Sequence, residues 1–243
     1  MSFRPTRLPQ QFVKIVLISG EYPQLAQSLK KLEIGVITTA EDLRLPYAVR
    51  WHPDMQVCLL RDELFTLRGG PLTNTLREHG LYVKETLQTP QNYFPQDALC
   101  NVLVWEKWGV GCSRSTDALI RQRVATLGLT WIEVKQGYTA CSVAMVNANS
   151  AITSDSSIAD KLRKHGLQVL LIEPGYIMLP GYPYGFIGGC CGKLAPHLMA
   201  FTGQLDRHPD GSAIRCFLKN RGVEPLELMD GALLDIGGIL TLK

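Results

Sequence analysis

A polar amphipathic stretch, a glycine and a short apolar run follow one another several times along the 243-residue chain. The clearest copies are Leu76-Arg-Glu-His-Gly-Leu-Tyr-Val83 and Leu162-Arg-Lys-His-Gly-Leu-Gln-Val169. Val124–Trp131 and Leu218–Pro225 repeat the pattern more loosely. Leu29–Val36 carries Glu33 where the others carry glycine. The physics behind it is helix termination: the residue after the last turn adopts a left-handed conformation, which suits glycine, and a strand follows. The marked positions are 33, 80, 128, 166 and 222, each interval long enough for one supersecondary unit.

An apolar strand is expected before each helix, at Lys14–Ser19, Gln56–Leu60, Asn101–Glu106, Val143–Val146 and His197–Phe201, with another after it. Alternating strands and helices predict an α/β fold. Repetition points to a radial arrangement of about five units in one domain over residues 1–243, and a doubly wound open sheet is the competing architecture. Further echoes favour the radial form: Phe186-Ile-Gly-Gly189 with Asp235-Ile-Gly-Gly238, and His52-Pro-Asp54 with His208-Pro-Asp210.

Composition narrows the function classes. No run approaches the ~18 apolar residues of a membrane helix, and the opening residues read as no signal peptide, so a cytoplasmic, membrane-free protein is expected. A net charge of +3 is too mild for nucleic-acid binding. The basic groups Lys30-Lys31, Arg121–Arg123 and Lys161–Lys164 fall on predicted helix faces. Seven cysteines without a Cys-x-x-Cys pair suggest neither zinc nor a disulfide framework, and no metal or cofactor is expected. Cys58, Cys100 and Cys216 read as small buried hydrophobes.

Four constellations could carry chemistry. In the His-Pro-Asp pair, proline fixes the loop while His52 with Asp54, or His208 with Asp210, could orient one another as acid–base partners require. Asp210 equally suits a helix cap. Cys141, in Gln136–Ser142, is the thiol least like plain core, although a structural thiol is the competing reading. As a nucleophile it would need a lowered pKa from a nearby imidazole. The glycines of Tyr184–Gly192 and Gly237-Gly238 lack the dinucleotide spacing and read as close packing around a crowded centre. Polar groups at strand ends, Asp97, Asn101, Asp155 and Asp235, form a ligand site only if the strands converge, and Asp155 also suits a helix cap.

The stretches His52–Met55, Lys135–Tyr138 with Cys141-Ser142, Tyr184–Gly189, and Thr202-Gly203 with His208–Gly211 resemble an uncharacterised bacterial family assigned to the guanidino-group-modifying, or pentein, fold. That resemblance implies a five-bladed, pseudo-symmetric α/β propeller with a site where the blades' loops meet. Penteins use a cysteine in the last blade, a histidine in the middle blade and acidic residues that grip a guanidinium. Here Asp235–Lys243 carries no cysteine, and Thr139 stands near the expected histidine. Arg61-Asp62 resembles a substrate-gripping segment. The expectation is a central polar site for a small polar or guanidino-type metabolite, using Cys141 with His208 or His52. A catalytically silent binding or scaffold protein is the alternative.

Overall fold

A computed structural model describes residues 5–243. The first unit holds β1 (Ile15–Ile18), α1 (Pro23–Lys30) and β2 (Gly35–Thr38). The second holds α2 (Pro53–Gln56), β3 (Val57–Leu60), β4 (Glu63–Thr66), α3 (Pro71–Glu78) and β5 (Val83–Glu85). The third holds β6 (Leu103–Trp105), β7 (Trp108–Gly111), α4 (Ala118–Thr126) and β8 (Thr130–Glu133). The fourth holds α5 (Thr139–Ser142), β9 (Val143–Asn147), β10 (Ser150–Thr153), α6 (Ser156–Lys164) and β11 (Gln168–Leu171). The fifth holds β12 (Cys191–Ala195), β13 (Leu198–Phe201), α7 (Gly211–Lys219) and β14 (Glu224–Glu227), and β15 (Leu240–Thr241) ends the order.

Each unit is a three-stranded sheet. Its middle strand pairs antiparallel with the strand before it and parallel with the strand beyond the helix. The first sheet lacks its own opening strand, and β15 supplies it, pairing antiparallel with β1 through Val16–Thr241 and Leu17–Leu240. Ends of the chain thus close a ring. The opening strands meet around its axis: β12 touches β9 and β15, and β3 touches β6. The expected strand–helix–strand unit therefore gains a hairpin strand in blades two to five.

Side chains on a strand alternate between faces, and here both faces are buried. In β3, Val57 and Leu59 enter one apolar cluster while Cys58 and Leu60 enter the next. In β9, Val143 and Met145 face the third blade, and Ala144 and Val146 face the fifth. Five clusters fill the five gaps between neighbouring blades. Each long helix adds an i, i+4 pair to one gap: Leu25 and Leu29, Leu72 and Leu76, Ile120 and Val124, Ile158 and Leu162, Ile214 and Leu218.

All five repeat positions have positive φ, from 61° at Glu33 to 86° at Gly166. After α6, Gly166 N–H donates to the Arg163 carbonyl and Leu167 N–H to the Leu162 carbonyl, the double hydrogen bond of a Schellman ending. Similar pairs close α1, α3, α4 and α7. The following apolar residue, such as Leu167 after Leu162, packs into the same gap as the helix. Cys58 and Cys100 are buried as expected, but Cys216 is exposed, because it lies on the outer side of α7. Among the described residues no helix is long and apolar enough to cross a membrane.

Nothing crowds a Cβ at Gly166, so Gly166→Ala should cost about 1 kcal/mol through backbone conformation alone. Glu33→Gly should instead raise stability by roughly 0.5–1 kcal/mol. Urea midpoints of the two variants check both signs. Deleting Met229–Lys243 removes β15, and thermal melts should then lose their single cooperative transition.

Candidate active site at the propeller axis

Each opening strand is entered through a tight turn, and the five turns share the axis. They are His52–Gln56, Asp97–Asn101, Thr139–Ser142, Ile187–Cys190 and Asp235–Gly238. Contacts run round the ring without a break. Asn101 Nδ2 donates to the Asp54 carbonyl at 3.2 Å, and Asn101 Oδ1 accepts from the amides of Ala140 at 2.6 Å and Cys141 at 3.3 Å. A Cβ at Gly188 would lie 2.5–2.7 Å from the carbonyl oxygens of Ala140, Val143 and Cys141. Amides of Ile236 and Gly238 donate to the Gly189 carbonyl at 2.9 and 2.8 Å. The Asp54 amide closes the circle on the Gly237 carbonyl at 3.3 Å, where Gly237 has φ 80° and a Cβ would meet His52. The crowded centre expected from the glycines is this ring.

Inside it stand His52, Asp54, Asn101, Cys141 and Asp235, all buried. Asn101 Nδ2 also reaches Cys141 Sγ at 3.0 Å, and the Cys141 thiol and the Asp54 carboxyl are near enough to shift one another's titration. Neither Asp54 carboxyl oxygen has a hydrogen-bond partner among the described residues. Asp235 accepts from the amides of Phe186 at 2.8 Å and Gly237 at 3.1 Å. Its Oδ1 lies 3.6 Å from His52 Nδ1, too far for a hydrogen bond.

Burial governs the electrostatics. It pushes the His52 imidazole down to about 3, so the ring is neutral at physiological pH. Asp235 is pushed up to about 7, first by burial and then by the Asp54 charge. Asp54 is raised by burial, against the opposing pull of the Cys141 thiol and Arg7. The Cys141 thiol stands well above its ordinary value because of burial, Asp54 and Asp235. This corrects the expectation of an imidazole-lowered thiol: the carboxylates are close, and the imidazole carries no charge. Two buried carboxyls, a protonated thiol and a neutral imidazole make a cluster short of positive charge.

The segment joining β11 to Ile187 covers this cluster. Leu179 and Phe186 pack in the same apolar cluster as Met55 and Cys141. Met178 pairs with Leu234, and Phe186 N–H holds Asp235. Tyr176, Met178, Tyr182 and Tyr184 remain exposed. A structureless connection of this length is uncommon unless it serves as a cover or binding loop.

The two His-Pro-Asp loops part company. His208 Nδ1 accepts from the Asp210 amide at 3.0 Å, its ring packs edge-on against Tyr176, and Asp210 accepts from the Glu173 amide at 2.7 Å. None of these contacts reaches Cys141, and Asp210 makes no side-chain cap on α7. Asp155 does cap α6, accepting from Ile158 N–H at 2.9 Å. Asp97 sits beside the cluster, accepting from Tyr138 Oη at 2.6 Å, with its carboxyl raised mainly by burial. Arg7 and residues 172–183 of the covering segment carried no sequence signal of a site.

The family model that matches this chain spans residues 17–240. The chain belongs to DUF6873, a family of unknown function. A search of curated proteins finds no match. Among solved structures, an inosamine-phosphate amidinotransferase from Streptomyces griseus is similar over 100% of this chain and 97% of its own, at TM-score 0.63 and 11% identity. SxtG, an amidinotransferase of saxitoxin biosynthesis from Microseira wollei, covers 96% of each chain at TM-score 0.60 and 10% identity. A DDAH from Pseudomonas aeruginosa complexed with citrulline covers 90% of this chain and 92% of its own, at 0.56 and 10%. These likenesses establish the pentein fold for the DUF6873 chain, a five-bladed α/β propeller. Its last turn leads into Ile239 and Leu240, both buried and apolar.

The raised carboxyl and the lowered imidazole have opposite linkage. Folded Asp235 holds its proton between its ordinary 3.8 and about 7, so its contribution to stability is lost as pH rises through that range. Unfolded His52 takes up a proton below 6.5 that the folded ring refuses until about 3, so its contribution grows with pH over that span. His52→Gln removes the second effect. Urea unfolding at pH 5 and pH 7 should show the variant losing on the order of 2 kcal/mol more than wild type across the step.

Proposed function

We propose that this protein binds a small guanidino-type cation at the propeller axis and acts on it through Cys141 as a hydrolase or transferase. The observation that carries the proposal is Asp54: a fully buried carboxyl, beside a thiol, with no cationic hydrogen-bond partner among the described residues. A bound cation would offset the charge that both Asp54 and Asp235 resist carrying, and a positive neighbour lowers a thiol's pKa. The resting thiol is then held unreactive until a ligand arrives. Three structurally similar proteins, two amidinotransferases and a DDAH complexed with citrulline, support a guanidino-type ligand.

In the proposed reaction, Cys141 Sγ gives its proton to Asp54 and bonds to the guanidinium carbon. Collapse of that adduct breaks one C–N bond, and the amine departs with the proton. Water, or a second amine, then displaces the sulfur, and neutral His52 relays the incoming nucleophile's proton to the departing thiolate, which restores the thiol. His208 and Asp210 take no part, since their contacts run to Glu173 and Tyr176.

Paired alkylating reagents test this reading: cationic 2-chloroacetamidine and neutral 2-chloroacetamide, with labelling read by peptide mass spectrometry. Exposed Cys216 serves as the internal reference for intrinsic reactivity. Relative to it, Cys141 should favour the cationic reagent by about tenfold, the equivalent of one pKa unit. Asp54→Asn should abolish the preference. Labelling of Cys216 alone, or of Cys141 without regard to charge, would overturn the proposal.

A further inference from the structure

The covering segment leaves the fourth blade and crosses the axis toward the second. At its start Ile172 N–H extends the pairing of β11, donating to the Thr153 carbonyl at 3.0 Å. At its tip Gly181, with φ 94°, lies against the loop ahead of α2, where an added Cβ would stand 3.1 Å from the Ala48 side chain. Leu179 joins the apolar cluster of Leu45, Val49 and Cys141 there. The returning half is held by Asp235, which accepts from Phe186 N–H at 2.8 Å.

The foot of the segment is tied down by His208-Pro209-Asp210, the motif that the chemistry leaves unused. Asp210 Oδ2 accepts from Glu173 N–H at 2.7 Å, and the His208 and Tyr176 rings meet edge-on with centroids 5.7 Å apart. The motif itself is rigid. Proline fixes its middle φ, His208 N–H donates to the Leu205 carbonyl at 2.9 Å, and Asp210 N–H donates to His208 Nδ1 at 3.0 Å. Because Nδ1 of the neutral ring accepts, its proton is on Nε2, which is buried with no hydrogen-bond partner among the described residues. An unmatched buried donor costs free energy that water would relieve on opening, so closure is held against a standing penalty. Next to the foot, Gly175 has φ 96° and nothing within 4 Å of an added Cβ, a place where the backbone can turn. We propose that the covering segment is a gate over Cys141 and that His208-Pro209-Asp210 is the latch holding its foot closed. The inference rests on reading Cys141 as the reacting group, and it adds how that group is reached.

Hydrogen exchange read by peptide mass spectrometry tests the latch without any ligand. In Asp210→Ala, amides of residues 173–178 should exchange at least about threefold faster, the factor for one hydrogen bond of modest net strength. Asp210→Asn, whose amide oxygen can accept the same bond, should stay close to wild type. Tyr176→Ala removes the ring contact at an exposed position and should loosen the same amides. Asp117→Ala is the control: it loses the cap on α4, where Asp117 accepts from Leu119 N–H at 2.9 Å, and should leave the segment's exchange unchanged. The gate is read with neutral iodoacetamide. Relative to exposed Cys216, Cys141 should be alkylated at least about threefold faster in Asp210→Ala than in wild type. Equal exchange in Asp210→Ala and wild type, or acceleration spread evenly over β9 and β10, would overturn the latch. Faster exchange with no faster alkylation of Cys141 would overturn the gate. Neither readout involves the preference of Cys141 for a cationic reagent, so this inference and the proposed chemistry fail separately.

Discussion

Five backbone turns have to share one axis, and there is not room there for five ordinary residues. Gly188 presses on three carbonyl oxygens of the neighbouring turn, Gly189 on the Asp235 carboxyl, and Gly237 on His52. The two remaining joints are bridged by one side chain, Asn101, whose amide ties Asp54 on one side to Ala140 and Cys141 on the other. Everything outward follows from this crowding. Opening strands can splay only so far, each sheet is flanked by two apolar gaps, and each helix fills one of them. The same crowding expels water, which is why carboxyls, thiol and imidazole at the axis all depart from their solution behaviour.

Much of the architecture was legible in the sequence because one local rule repeats. A helix that ends on a left-handed residue and turns into a strand leaves the same mark each time, and even Glu33, which breaks the glycine pattern, has φ 61°. Hairpins were less legible. Tips such as Arg61-Asp62 and Glu106-Lys107 interrupt the apolar runs by only two residues, so two strands read as the end of one.

The site was half legible for a topological reason. Both His-Pro-Asp segments look alike, but His52 precedes the opening strand of its blade and points to the axis, whereas His208 follows the middle strand and lies outside it. Identical tripeptides at different stations of one repeat meet different surroundings. The state of Cys141 was beyond sequence reasoning, since it depends on the sum of burial and two carboxylates rather than on any neighbour along the chain. Asp155 shows the opposite case, a polar strand-end residue whose local duty as a helix cap accounts for it.

Ring closure by β15 also governs how the molecule comes into being. Val16 finds its partner Thr241 only after the long stretch of chain between them has been made. At about 5–20 residues per second, a ribosome takes roughly 11–45 s to cover that distance. Through that interval β1 offers one unpaired, apolar edge to anything nearby, and an edge in that state is a template for wrong pairing. Later blades can pack on those already made, but the first gap stays open until the end. The sheet built on β1 is therefore the last of the five to be completed, although its middle strand is made first.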